Sequence, residues 1–317
     1  MSELEDSLSA KIEYDRVRAL HRTSGLWDNT LADRYAAQRD LVAFIDETHR
    51  STERGDAGYY GLSAVVFHSD DLPEIRRDLE EIAGGSFWHS KEAVKDGRLR
   101  PRIGEMNEYI AAKAAMPAVF FDVRANEISD AQERPMRDLC LDRALRDLDS
   151  EGIRDVVLDN FPRTERHNVR LDKAVLEALH ATGDVDSRMW MHHARMSEEH
   201  ALWAADTVAW SIQRHYFGQK QRDSLHIAPL SGRLREVHAA TGRRREFTTP
   251  QRVELAGPAG RHERTAPIYS LSALVERARK AGPKPSARSI ETPPTIEPPG
   301  MRKAPPALGP EGPSLSR

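Results

Sequence analysis

The chain has 317 residues, 39% of them hydrophobic and 31% charged, with one Cys. Its net charge of -3 hides an asymmetry: residues 218–317 hold 18 Lys and Arg against 9 Asp and Glu (net +9), and the first 217 hold the other 29 and 41 (net -12). This composition fills one large core or two small ones. It excludes a disulfide framework or a cysteine metal site within the chain, and no apolar run approaches the ~20 residues that span a bilayer.

The opening Met1-Ser2-Glu3-Leu4-Glu5-Asp6 is acidic and has no apolar h-region, so no secretory signal and a cytoplasmic location are expected. Residues 2–40 are polar and mostly helical in pattern. Leu41-Val42-Ala43-Phe44-Ile45 reads as a short buried strand ending at Asp46-Glu47, and Tyr59 to Phe67 reads as a second. The short polar loop between them suggests a hairpin. Asp70-Asp71 with Pro73 opens a helix that Gly84-Gly85 ends. Then come Phe87-Trp88-His89-Ser90-Lys91-Glu92, a helix over about 103–115 and a third strand over 118–123.

From there helices over about 131–150, 168–181 and 198–216 alternate with strands over 153–158 and 189–196. Such alternation implies parallel pairing through crossovers. With the hairpin, it predicts a mixed α/β sheet covered by helices. Beyond Gly218 the pattern weakens, with helices expected over 230–240 and 270–280. Ten of the 19 prolines fall in residues 281–317, a composition expected to stay extended or disordered. The expected division is a helical extension (1–40), the α/β domain (41–217), a basic helical extension (218–280) and the Pro-rich tail (281–317). An acidic body can hold a metal while a basic segment holds a polyanion, although basic tails are commonly only solvated.

Three acids attract attention. Asp46 and Asp159 each follow an apolar run, where a buried strand leaves the sheet and where α/β proteins place their functional crevice. Asp after a strand is also ordinary turn chemistry. Asp206 sits at helical spacing from Leu202, Trp203, Ala209 and Trp210. A carboxylate in an apolar stripe needs a metal, a cation or backbone donors. Side by side, such anions repel, and Mg²⁺ or Mn²⁺ with their preference for oxygen ligands would remove that cost.

Around them, His89 is a candidate general acid or base. Glu92 could complete a metal shell, and Lys91, Arg163 and Arg166 could grip phosphate. A helix start with solvated charges and a solvated loop explain the same residues. Glu47 should point away from Asp46, and His192 away from His193, because strand side chains alternate. Arg243-Arg244-Arg245 suits a nucleic-acid backbone or a solvated linker equally. There is no Walker-type phosphate loop, dinucleotide fingerprint or nucleophile elbow, and Cys140 falls inside an expected helix.

Taken together, Phe44-Ile45-Asp46-Glu47-Thr48, Val157-Leu158-Asp159-Asn160 and Leu202-Trp203-Ala204-Ala205-Asp206-Thr207-Val208-Ala209-Trp210, with Trp88-His89-Ser90-Lys91-Glu92 between the first two, resemble domain of unknown function 3800. The likeness spans roughly residues 41–216 and rests on the order and spacing of short motifs. It implies an RNase H-like fold, nuclease action on DNA or RNA, a setting among mobile elements or phage defence, and Asp46, Asp159 and Asp206 as ligands of Mg²⁺ or Mn²⁺. Thr48 stands where the family usually has Ser. Asp138 is the candidate for the further carboxylate that RNase H enzymes carry on the helix after the third strand. The other reading is a non-catalytic RNase H-like module that assembles with a partner through its N-terminal helix or Pro-rich tail.

Overall fold

The computed structural model describes residues 2–50, 58–124, 130–160, 165–217 and 226–247. Residues 281–317 and the helix expected over 270–280 lie outside them. Two helices come first, α1 (Ser2–Thr23) and α2 (Asn29–Ala37). Asp28 caps α2, its carboxylate accepting the Thr30 and Leu31 N–H groups. The hairpin follows as β1 (Leu41–Arg50) and β2 (Gly58–His68), antiparallel with Phe44 opposite Val65.

Helix α3 (Leu72–Ala83) has Pro73 in its first turn and ends at Gly84, whose φ of 73° is left-handed. A side chain there would also meet the Arg102 guanidinium at 2.7 Å, so both backbone and space call for glycine. A short helix α4 (Ser90–Ala93), helix α5 (Arg102–Lys113) and strand β3 (Met116–Arg124) follow. The chain continues through α6 (Asp130–Ser150), β4 (Asp155–Asp159), α7 (Glu165–Thr182), β5 (Trp190–Ala194) and α8 (Leu202–Phe217).

Residues 230–240 depart from the helix expected there. After a 3-10 turn over Ala228–Leu230 they form strand β6 (Arg235–His238), which pairs parallel with β3 and antiparallel with β7 (Arg244–Glu246). The open edge of β3 explains the change, because backbone pairing along it outweighs a weak helical pattern. The result is one mixed seven-stranded sheet, in the order β5-β4-β1-β2-β3-β6-β7.

Alternation along the strands splits the core in two. Val42, Phe44, Phe67 and Val157 face α2, α3, α5 and α8; Ala43, Ile45, Val66, Val156 and Leu158 face α6 and α7. Helix α8 lies across β1 and β2. No helix among the described residues is long and apolar enough to cross a membrane.

Candidate acid site and its cavity

Strand β1 puts Asp46 on the same face as Val42 and Phe44, beneath α8. Strand β4 runs parallel to it in register, Phe44 with Val157 and Ile45 with Leu158. Asp46 and Asp159 therefore hold the next position on neighbouring strands, both on the α8 side. Asp206 comes down from α8, four residues past its first residue. The three acids, 160 residues apart in sequence from first to last, line one cavity of about 890 Å³ at the tip of the sheet.

Their charges interact. Burial pushes the Asp46 carboxyl well above the usual carboxylate range, and Asp206 and Asp159 push it further. Asp159 rises to about 6, chiefly through burial and then through Asp206; the Asn160 N–H and His89 oppose the rise. Asp206 is held by donors from the stretch after α3. The Ser90 N–H donates to Oδ2 at 2.7 Å, and His89 Nδ1 stands 3.2 Å from Oδ1. Pairing with Asp206 in turn raises the His89 imidazole above its ordinary value.

That stretch is fixed to α8 by its neighbour. Trp88 is buried, and its indole N–H donates to Thr207 at 3.0 Å and Ser90 at 3.2 Å. Thr207 donates to the Trp203 carbonyl at 2.8 Å. The order Phe87 out, Trp88 in, His89 onto Asp206 is extended-chain alternation anchored by one indole.

Glu47 points the other way, as alternation requires. It accepts from the Tyr60 hydroxyl at 2.6 Å and from Arg137. Arg137 also grips Asp172 through two bonds, Nη2 to Oδ2 at 2.9 Å and Nε to Oδ1 at 3.2 Å. His193 Nε2 lies 2.9 Å from Asp172 Oδ2, and Arg134 Nη2 lies 3.0 Å from Asp172 Oδ1. Burial works against the Asp172 charge, but His193, Arg137 and Arg134 together hold its carboxyl far below the ordinary range. Arg134 and Arg137 line the same cavity as the three acids.

Several expected residues fall elsewhere. Glu92 is not among the cavity residues; it is exposed and paired with Lys95 at 2.8 Å, three residues along the chain. Lys91 does line the cavity. Asp138 belongs to the opposite side of the sheet, paired with Arg134 rather than with the acids. His192 and His193 separate as alternation demands, His192 to Asp28 at 2.7 Å and His193 to Asp172. Arg163 and the Arg166 side chain lie outside the described residues. Arg244 is taken up by Asp147 at 3.0 Å and Arg245 by Glu236, so these two serve the sheet edge.

The donor chemistry, three oxygen ligands carrying excess negative charge, suits a hard divalent cation. The side-chain placement is not that of a finished cage: among the described residues no group of three or more His, Cys, Asp or Glu is arranged to hold a metal ion. Comparison with protein-family models and with curated proteins finds no match.

Proposed function

We propose that the chain is a divalent-cation-dependent hydrolase of phosphodiester bonds in DNA or RNA. The observation that carries this reading is the meeting of Asp46, Asp159 and Asp206 in one cavity, where the charge of Asp206 adds to burial in raising the carboxyls of Asp46 and Asp159 and His89 is the neighbouring imidazole. The motifs that resemble domain of unknown function 3800 supply all three acids, which supports the same conclusion. Three partly desolvated carboxylates are costly to keep together unless a cation is to be held there.

A bound Mg²⁺ or Mn²⁺ supplies a Lewis acid for phosphoryl oxygens and a more acidic attacking water. Asp46 and Asp159, fixed by strand register, and Asp206, fixed by α8, would hold it. Lys91 and Arg195 line the cavity, where they can meet phosphate oxygens. His89, kept in place by Asp206, can give a proton to the departing oxygen. Purified protein with Mn²⁺ or Mg²⁺ is expected to cut oligonucleotides, and Asp46→Asn to reduce the rate by at least about 10²-fold. Equal cutting by the two proteins would sink the assignment.

One observation favours a second reading. Both Asp206 oxygens already have partners, Ser90 and His89, as in a non-catalytic module that binds or assembles with a partner. Calorimetry separates the two: Mn²⁺ uptake that Asp46→Asn abolishes supports hydrolysis, and no uptake by the wild type supports the module.

A further inference from the structure

We propose that Phe87 is a stacking platform for an unpaired nucleobase, so that the cavity takes single-stranded nucleic acid or a frayed strand end and not the interior of a duplex. This rests on the nucleic-acid reading above and specifies its substrate class.

Phe87 is 71% exposed, and it is the only one of the large exposed hydrophobic side chains among the described residues that lines the cavity. Leaving an aromatic ring in water forfeits the burial that normally places it inside. The ring is also not on a loose loop. The residue after it is nailed to α8 through the Trp88 indole, and the next is fixed on Asp206. Phe87 is thus presented two residues from the imidazole that faces the acids, on a backbone pinned immediately downstream.

The rest of the cavity agrees with a base and its phosphates. Its apolar wall comes from α8 and the turn before it, including Met196, Trp203, Ala209 and Trp210. Its lining also carries Lys91, Arg195 and Arg214 beside the acids, cationic side chains that can face the phosphates of a strand. A volume of about 890 Å³ far exceeds a lone phosphate and lies within the roughly 300–1,000 Å³ of small-molecule sites. Aromatic stacking is indifferent to base identity but needs an accessible π-face. Within a duplex both faces of each base are already covered by neighbours, so only an unstacked base can meet the ring.

The test uses the full chain with a single-stranded oligonucleotide carrying 2-aminopurine, and the matching duplex, in EDTA. Wild type is expected to quench the fluorophore and to prefer the single strand. Phe87→Ala should weaken single-strand binding roughly 5- to 150-fold, the range of base–aromatic stacking, lose the quenching and leave duplex binding unchanged. Phe87→Trp should restore both. An unchanged melting temperature for Phe87→Ala checks that the fold is intact.

Equal strand binding by Phe87→Ala and wild type, or a preference of the wild type for duplex, would overturn the proposal. The hydrolysis reading is tested apart, by comparing Asp46→Asn with wild type in Mn²⁺. If both leave the strand whole while binding still depends on Phe87, that reading fails and the stacking site stands. If the strand is cut and Phe87→Ala binds it normally, hydrolysis stands and the stacking site fails.

Discussion

Asp46 carries an energetic burden that its neighbours impose. Its carboxyl is buried, and the charges of Asp206 and Asp159 add to the effect of that burial. In metal-free buffer, Asp46→Asn should therefore raise stability, by roughly 1–3 kcal/mol, because an amide needs no counter-charge. In Mn²⁺ the order should reverse: the wild type gains stability with cation concentration and the variant does not. Thermal melts across an EDTA-to-Mn²⁺ series check this, and a variant less stable than wild type in EDTA would contradict it. These acids were legible in the sequence because each breaks an apolar pattern, Asp159 at the end of β4, Asp206 in a helical stripe, and Asp46 after an apolar run expected to end the strand there, although β1 continues to Arg50. Arg134 and Arg137 were not. The partners of Arg137 lie 35 residues further along at Asp172 and 90 residues back at Glu47, and Arg134, beside its local partner Asp138, reaches the same Asp172; no local spacing announces such a cluster. Glu92 misled for the opposite reason: a short helical turn sends it to Lys95 and away from the His89 beside which it is written.

At the scale of elements, the tie between α1, α3 and the turn before α8 is ionic and dry. Arg76 donates to both Glu199 oxygens, Nε at 2.8 Å and Nη2 at 2.7 Å, with both side chains fully buried. His21 Nδ1 lies 3.2 Å from the same guanidinium. Burial, and then the Arg76 charge, lower the His21 imidazole to about 4. The fold therefore holds His21 neutral, while the unfolded chain takes up a proton near pH 6.5. Stability should fall as pH drops from about 6.5 to about 4, by roughly 3 kcal/mol from this group, and no further below that. Urea melts of wild type and His21→Gln over this interval should show the variant's slope reduced. Arg76→Met strands Glu199 in the core and should cost about 3–5 kcal/mol at pH 7, read from the same melts. Glu199 also accounts for a misplaced boundary. Its Oε1 takes the Ala201 N–H at 3.0 Å, so residues 198–201 form a turn and α8 begins at Leu202 and not at 198 as its pattern suggests.

For the whole molecule, the alternation of strands and helices over residues 41–217 was readable from hydrophobic period, and the mixed sheet with helices on its faces follows it. The far edge was not readable. Strands β6 and β7 are four and three residues long, too short to show a period of two, and they exist because β3 offers an unpaired edge. Their segment also contributes Ile227, Leu230, Leu234 and Phe247 to the core under α5 and α8. A chain ended at residue 217 should lose this cover, expose the β3 edge and aggregate. Size-exclusion chromatography of that truncation, against the intact chain, checks it; a monomeric truncation with an unchanged melting temperature would show the edge strands to be dispensable.

The pairing of β1 with β4 has a consequence for how this protein can change. Along β1, even-numbered positions 42, 44, 46 and 48 turn toward α8 and odd-numbered 43, 45 and 47 turn toward α6. Shifting that strand by one step would turn Asp46 toward Arg137 and bring Glu47 to the α8 side in its place. Inserting or deleting one residue within β1 would therefore exchange both faces at once, the acid of the cavity together with Val42 and Phe44 on one side and Ala43 and Ile45 on the other.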